Sequence, residues 1–179
     1  MSKILVDTID TRSGTTNLTI GSSNASQITL KSGATLTNFP DNTPAFHVTR
    51  NATQSIADDT DTVIQFDNEV IDTDNKFDLG GTHRFTPTVA GKYFLYACGM
   101  MYASANMQMH IRKNGTKIFG FRDRGGANTT DQSLYTGGIV EANTTDYFDV
   151  IFKQNSNGAI NLQGEAFATF FGGYRIIGA

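Results

Sequence analysis

Residues 91–109, GKYFLYACGMMYASANMQM, carry a single charge, Lys92, in nineteen positions. In a β-strand successive side chains point to opposite faces, and a strand of an open antiparallel sandwich alternates apolar-in with polar-out. Here Tyr93, Leu95, Ala97 and Met101 fall on one face, and Phe94, Tyr96, Cys98, Met100 and Tyr102 on the other. Both faces demand an apolar cover. A sandwich core can supply one, and something else has to supply the second.

The chain around this stretch reads as strands separated by turns. The pattern predicts strands over 45–50, 62–70, 82–86, 91–103, 107–113, 116–122, 132–141, 146–154, 158–163 and 165–177. Turn residues separate them at Asp58-Asp59, Asn114-Gly115, Gly125-Gly126 and Asn155 to Gly158. Asn114-Gly115, between HIRK and TKIF, is the sharpest hairpin signal in the chain. No window has helical periodicity, so the expected class is all-β, a jelly-roll sandwich of about ten strands.

Composition changes near residue 40. Residues 1–38 contain no aromatic side chain and are rich in Thr, Ser, Asn and Gly, with short alternating groups at Leu18/Ile20 and Ile28/Leu30. Such triplets bury too little to fold alone. The segment is either a linker or a thin β-rich stalk formed by several chains winding together, and the retained period of two favours the stalk. FPDNTP, residues 39–44, holds two of the three prolines and marks the connection to a domain over 45–179.

Charge and motifs exclude several functions. A net charge of −3 with scattered basic residues does not suit a nucleic-acid backbone, and no segment reaches transmembrane length. MSKILVDTID lacks the apolar core of a secretory leader, so synthesis in the cytosol is expected. Cys98 stands alone in an apolar run, which suits an inert buried thiol. His47, His83 and His110 form no metal-spaced pair, and no nucleophile elbow or phosphate loop occurs, so no catalytic residue and no enzyme are expected. Asp58/Asp59/Asp61 and Asp72/Asp74/Asp78 gather oxygen ligands of the kind calcium takes, or are simply solvated acidic turns. Neither has the spacing of a defined calcium loop, and no cofactor is expected.

Phe66, Asp72, Phe77, Phe85, Gly91, Tyr93 and Leu95, together with PAFHVTR, IRKNGTKI and FFGGYRI, resemble the globular head of complement C1q and its tumour-necrosis-factor-like relatives. Leu95 stands where the family carries Phe. The resemblance implies a homotrimer of jelly rolls around a three-fold axis, which would cover the second face of 91–109. On this reading Tyr93, Leu95, Met101, Phe170 and Tyr174 are the expected interface residues, and the alternative is a monomer that keeps all of them in its own core. The long polar loop 121–133 offers Arg122, Arg124 and Asn128 for a ligand such as a bacterial surface glycan, or is a surface loop without one.

The first 38 residues resemble the starts of small fibre and appendage proteins of tailed bacteriophages. This second resemblance implies a virion structural protein, released by lysis, anchored on other virion proteins through 1–38 and displaying the head as a tail fibre or tip for host attachment. A capsid head fibre or decoration protein is the alternative, and a cellular lectin or adhesion module a further one.

Overall fold

Alternation survives in Gly91–Met101, Asn106–Lys113 and Gln132–Ala142, because each of these long strands has one face closed by the opposite sheet. The computed structural model describes residues 42–102, 106–124 and 132–177, with Ser32. The expected stalk over 1–38 lies outside the described residues except for Ser32, as does 39–41 of the connection. The chain divides between Phe39 and Pro40, and every strand named below belongs to the second unit.

Among the described residues there are eleven strands and no helix: β1 (Ala45–Thr49), β2 (Gln54–Ile56), β3 (Thr62–Val63), β4 (Asn68–Asp72), β5 (Gly91–Met101), β6 (Asn106–Lys113), β7 (Thr116–Asp123), β8 (Gln132–Ala142), β9 (Phe148–Asn155), β10 (Ile160–Leu162) and β11 (Phe170–Ile176). They form two antiparallel sheets. In the first, β4, β1, β11 and β5 lie side by side, β8 flanks the other edge of β5, and β10 and β2 extend the sheet beside the end of β5. In the second the order is β3, β9, β6, β7.

The inward residues of both sheets make the core. Phe46 stacks on Phe85 at 4.0 Å between centroids and meets Phe171 edge-on at 4.9 Å. Met107, Met109 and Phe152 close it from the second sheet. Such flexible thioethers fill the irregular gaps between rings.

Tyr93, Leu95 and Met101 belong to this core, each with 0 % of its surface exposed. The expectation that they form a subunit interface is therefore corrected: the odd residues of β5 face the opposite sheet, and the even ones face outward. The Tyr93 hydroxyl donates to the Val89 carbonyl at 2.6 Å, and burial pushes its phenol pKa up to about 12.

Three expected elements change shape. The strand expected over 62–70 is two strands in opposite sheets, because Ile64 and Phe66 turn into the core as the chain crosses over. Residues 82–86 contribute only isolated bridges from Phe85 to Phe77 and Phe148. The last strand begins at Phe170, since Ala168 and Thr169 are tied to Glu165 in a turn. The short β2 was not expected.

The Asn114-Gly115 hairpin forms with φ of 51° and 81°, the left-handed pair of a type I′ turn. Asn114 also accepts from the Tyr147 amide at 2.9 Å and donates to Asp146 at 2.6 Å. Gly115→Ala places a β-carbon in the left-handed region and is expected to cost about 1 kcal/mol, read from urea unfolding.

Candidate functional site

The outward face of the first sheet is apolar in three cross-strand rows. Pairing sets Tyr135, Cys98 and Phe170 in one row, Gly137, Tyr96, Gly172 and His47 in the next, and Ile139, Phe94, Tyr174 and Ala45 in the third. Cross-strand neighbours in such rows touch. The rings form a chain: Phe94 lies 5.8 Å from Tyr174 and 6.1 Å from Tyr96, and Tyr96 lies 6.2 Å from Phe170.

Glycine at 172 is required by this arrangement. A β-carbon there would collide with the Tyr96 hydroxyl oxygen. The tyrosine ring thus lies over the backbone and reaches the Nδ1 of His47 at 3.1 Å. Burial lowers the His47 pKa and raises those of Tyr96 and the Cys98 thiol.

This face is not closed by the described residues. Ile139 is 60 % exposed, Tyr135 55 % and Tyr174 40 %. The three rows contain no formally charged residue; the next row out carries Lys92 and Glu141. Phe170 and Tyr174, two of the expected interface residues, lie on this face, whereas Tyr93, Leu95 and Met101 do not.

A second, polar feature lies on the outward face of the other sheet. Arg122 pairs with Gln108, which pairs with Lys153; one rung on, Asn106 pairs with Asn155. Arg124, just past β7, joins them. Asp59, Asn106, Gln108, Arg122, Arg124 and Asn155 line a cleft of about 330 Å³. Asp59 is held by its amide on the Gln154 carbonyl at 2.8 Å, and its carboxylate meets Lys153 at 2.8 Å. Arg122 and Arg124, two of the expected ligand residues, thus share a cleft; Asn128 lies outside the described residues, as do all of 125–131.

The amides of this cleft were not singled out in the sequence. Their signal was present in β6, where Asn106, Gln108 and His110 alternate with buried Met107, Met109 and Ile111. What the sequence does not display is the irregularity opposite Ile111 and Arg112, which shifts the hairpin register by one residue. That shift turns Arg122 outward beside Gln108. In an unbroken two-residue hairpin Arg122 would face Met107 and the core.

The acidic turns considered for calcium serve the backbone. Asp72 accepts from the amides of Lys76 and Phe77, both at 2.6 Å, and Asp58 from those of Ser156 and Asn157 at 2.9 and 3.0 Å. Asp78 accepts from the Thr82 amide and hydroxyl, which hold its carboxyl below the usual range. Asp61 pairs with Lys117 at 2.8 Å. Among the described residues no group of three His, Cys, Asp or Glu is arranged to hold a metal. The histidines are likewise dispersed: His47 on β1, His83 bonded to the Phe66 carbonyl, His110 on β6.

A family model described as the C1q domain matches residues 45–176. Among curated proteins no sequence match is found. Similar solved structures include murine APRIL at pH 5.0, 16 % identical with a TM-score of 0.59 over 74 % of this chain and 98 % of that one. The globular domain of zebrafish complement 1qA protein is 18 % identical, with a TM-score of 0.57 over 74 % and 97 %. Eiger TNF from S. frugiperda is 11 % identical, with a TM-score of 0.51 over 75 % and 93 %. At these identities the likeness is one of fold.

Proposed function

The chain belongs to the C1q-domain family, and from that premise we propose that it is a non-enzymatic, homotrimeric structural protein of a bacteriophage virion that displays its head for host-surface attachment. The observation that carries the assembly is the uncovered apolar face of β5, β8 and β11. A soluble monomer seldom leaves such a contiguous patch in water. Three copies around an axis parallel to β5 would bury Ile139, Tyr135 and Tyr174 against one another, with the rim charges Lys92 and Glu141 at one end. The virion setting is supported by the Thr/Asn/Gly-rich first 38 residues, whose alternating triplets suit a wound trimeric anchor.

Gold-labelled antibody against residues 45–179, imaged on the particle that carries the protein, tests the proposal. Label at the tail or baseplate is the expected result. Label spread over the capsid would favour the head-fibre alternative, and label on no particle would overturn the viral reading.

His47 gives the stability of the fold a pH dependence whose sign follows from its burial. Burial lowers its pKa below 6.5, so the folded form favours the neutral ring. The associated stability is present above pH 6.5 and is lost as the pH falls below it, since protonation is then favoured in the exposed state. Urea unfolding at pH 7.5 and pH 5 should show a less stable fold at the lower pH. His47→Gln should flatten the difference.

A further inference from the structure

The cleft on the second sheet brings two kinds of group together. Arg122 and Arg124 bring two guanidinium forks, two residues apart and so roughly 7 Å along the strand. Asn106, Gln108 and Asn155 bring three primary amides from two neighbouring strands. We propose that this cleft binds a carboxylate-bearing saccharide, the arginines gripping the carboxylate and the amides the ring hydroxyls. The inference rests on the reading of the head as an attachment module and names the chemistry that such a module would hold.

Each component points to the same ligand. Guanidinium and carboxylate match as planar, two-pronged partners. A primary amide offers donor and acceptor together, which suits vicinal hydroxyls. A simple phosphate would leave the three amides without a role. A nucleic-acid strand would need cations continuing beyond the cleft, yet Asp59 lines it and the whole chain carries −3. A volume of about 330 Å³ is at the small end for ligand sites, which fits one or two sugar rings. The amides stand on paired β-strands, so the cleft is largely formed before a ligand arrives.

Asp59 sets the strength of the site. Its carboxylate neutralises Lys153, which stands in the same row as Arg122 and Gln108. Removing that carboxylate would release a third cation toward the ligand and remove a repulsion.

The test is calorimetric titration of the full 179-residue chain with trigalacturonate, its methyl ester and inorganic phosphate. Trigalacturonate is expected to bind, with at least tenfold weakening on esterification and in Arg122→Gln/Arg124→Gln. Both arginines are exposed, so the variant should keep its far-UV spectrum. Asp59→Asn should tighten binding about three- to tenfold. Equal affinity for the ester, an unaffected arginine variant, phosphate binding as strong as that of the uronate, or no uronate binding would each overturn the inference. Gold label at the tail combined with any of these results sinks the inference and leaves host attachment standing. Uronate binding with label on no particle does the reverse.

Discussion

Ile139→Asp is expected to yield a folded monomer, and Tyr93→Asp an unfolded chain. Both residues lie in paired strands of one sheet, and their register partners differ by a single position: Phe94 pairs with Ile139, and Tyr93 with Val140. Their surroundings are opposite. Ile139 is 60 % exposed in the single chain, so a carboxylate there disturbs nothing within it, and such surface changes usually stay within about 0.5 kcal/mol. In the trimer the same carboxylate would be pressed into an apolar contact three times over, at a cost of several kcal/mol for each unpaired charge. Tyr93 is fully buried beside Phe85, 6.0 Å between centroids, and a charge there cannot be hydrated without opening the sandwich. Circular dichroism and sedimentation on each variant separate the outcomes. A trimeric Ile139→Asp protein would remove this face from the assembly.

The second large effect is expected at Asp149. Its side chain has no exposure, yet it holds two cations: Arg112 through two hydrogen bonds of 2.7 Å, and Arg84 at 3.5 Å. Arg84 also stacks over the Tyr147 ring at 3.9 Å. The bond to Asp149 raises the Arg112 pKa, so that guanidinium stays charged throughout the accessible range. Asp149→Ala leaves both cations with no carboxylate, and breaking a buried pair from one side costs about 3–5 kcal/mol. Thermal unfolding should drop by roughly 10 °C for a domain of this size. Replacing Arg112 and Asp149 together by Met and Leu should cost less than Asp149→Ala alone, because most of the penalty is the uncompensated charge rather than the lost attraction. Equal losses in single and double variants would refute that assignment.

Much of the fold was legible because strong local signals coincide. β5 through β9 are long, and the connections from β6 to β9 carry Asn-Gly, a Gly pair or Asn-Thr-Thr-Asp, so alternation and punctuation agree there. Legibility fails where a strand is short or the chain changes sheet. Ile64 and Phe66 keep a perfect alternation through the crossover, so nothing local marks the break between β3 and β4. β2 spans three residues and is stabilised by its pairing with β10, about a hundred residues away in the chain.

The site was half legible, for two separate physical reasons. In β5 both faces are equally apolar, so the strand alone cannot say whether Tyr93 or Phe94 faces the core. The decision comes from β8, where Leu134 and Thr136 are buried and Tyr135 and Ile139 are not. Arg122 and Arg124 stood out as paired cations in a polar segment, but their amide neighbours are brought beside them by a one-residue register shift in the hairpin. A shift of that kind costs little locally and reverses which side chains share a surface.

The uncovered face of the first sheet as the surface of self-association is tested most directly by the mass of the full-length chain in solution, measured by sedimentation velocity at micromolar concentration and pH 7.5. Three chains of 19.4 kDa give about 58 kDa, and that is the expected species. A single species at 19.4 kDa, with Tyr135 and Ile139 left facing water, would contradict it.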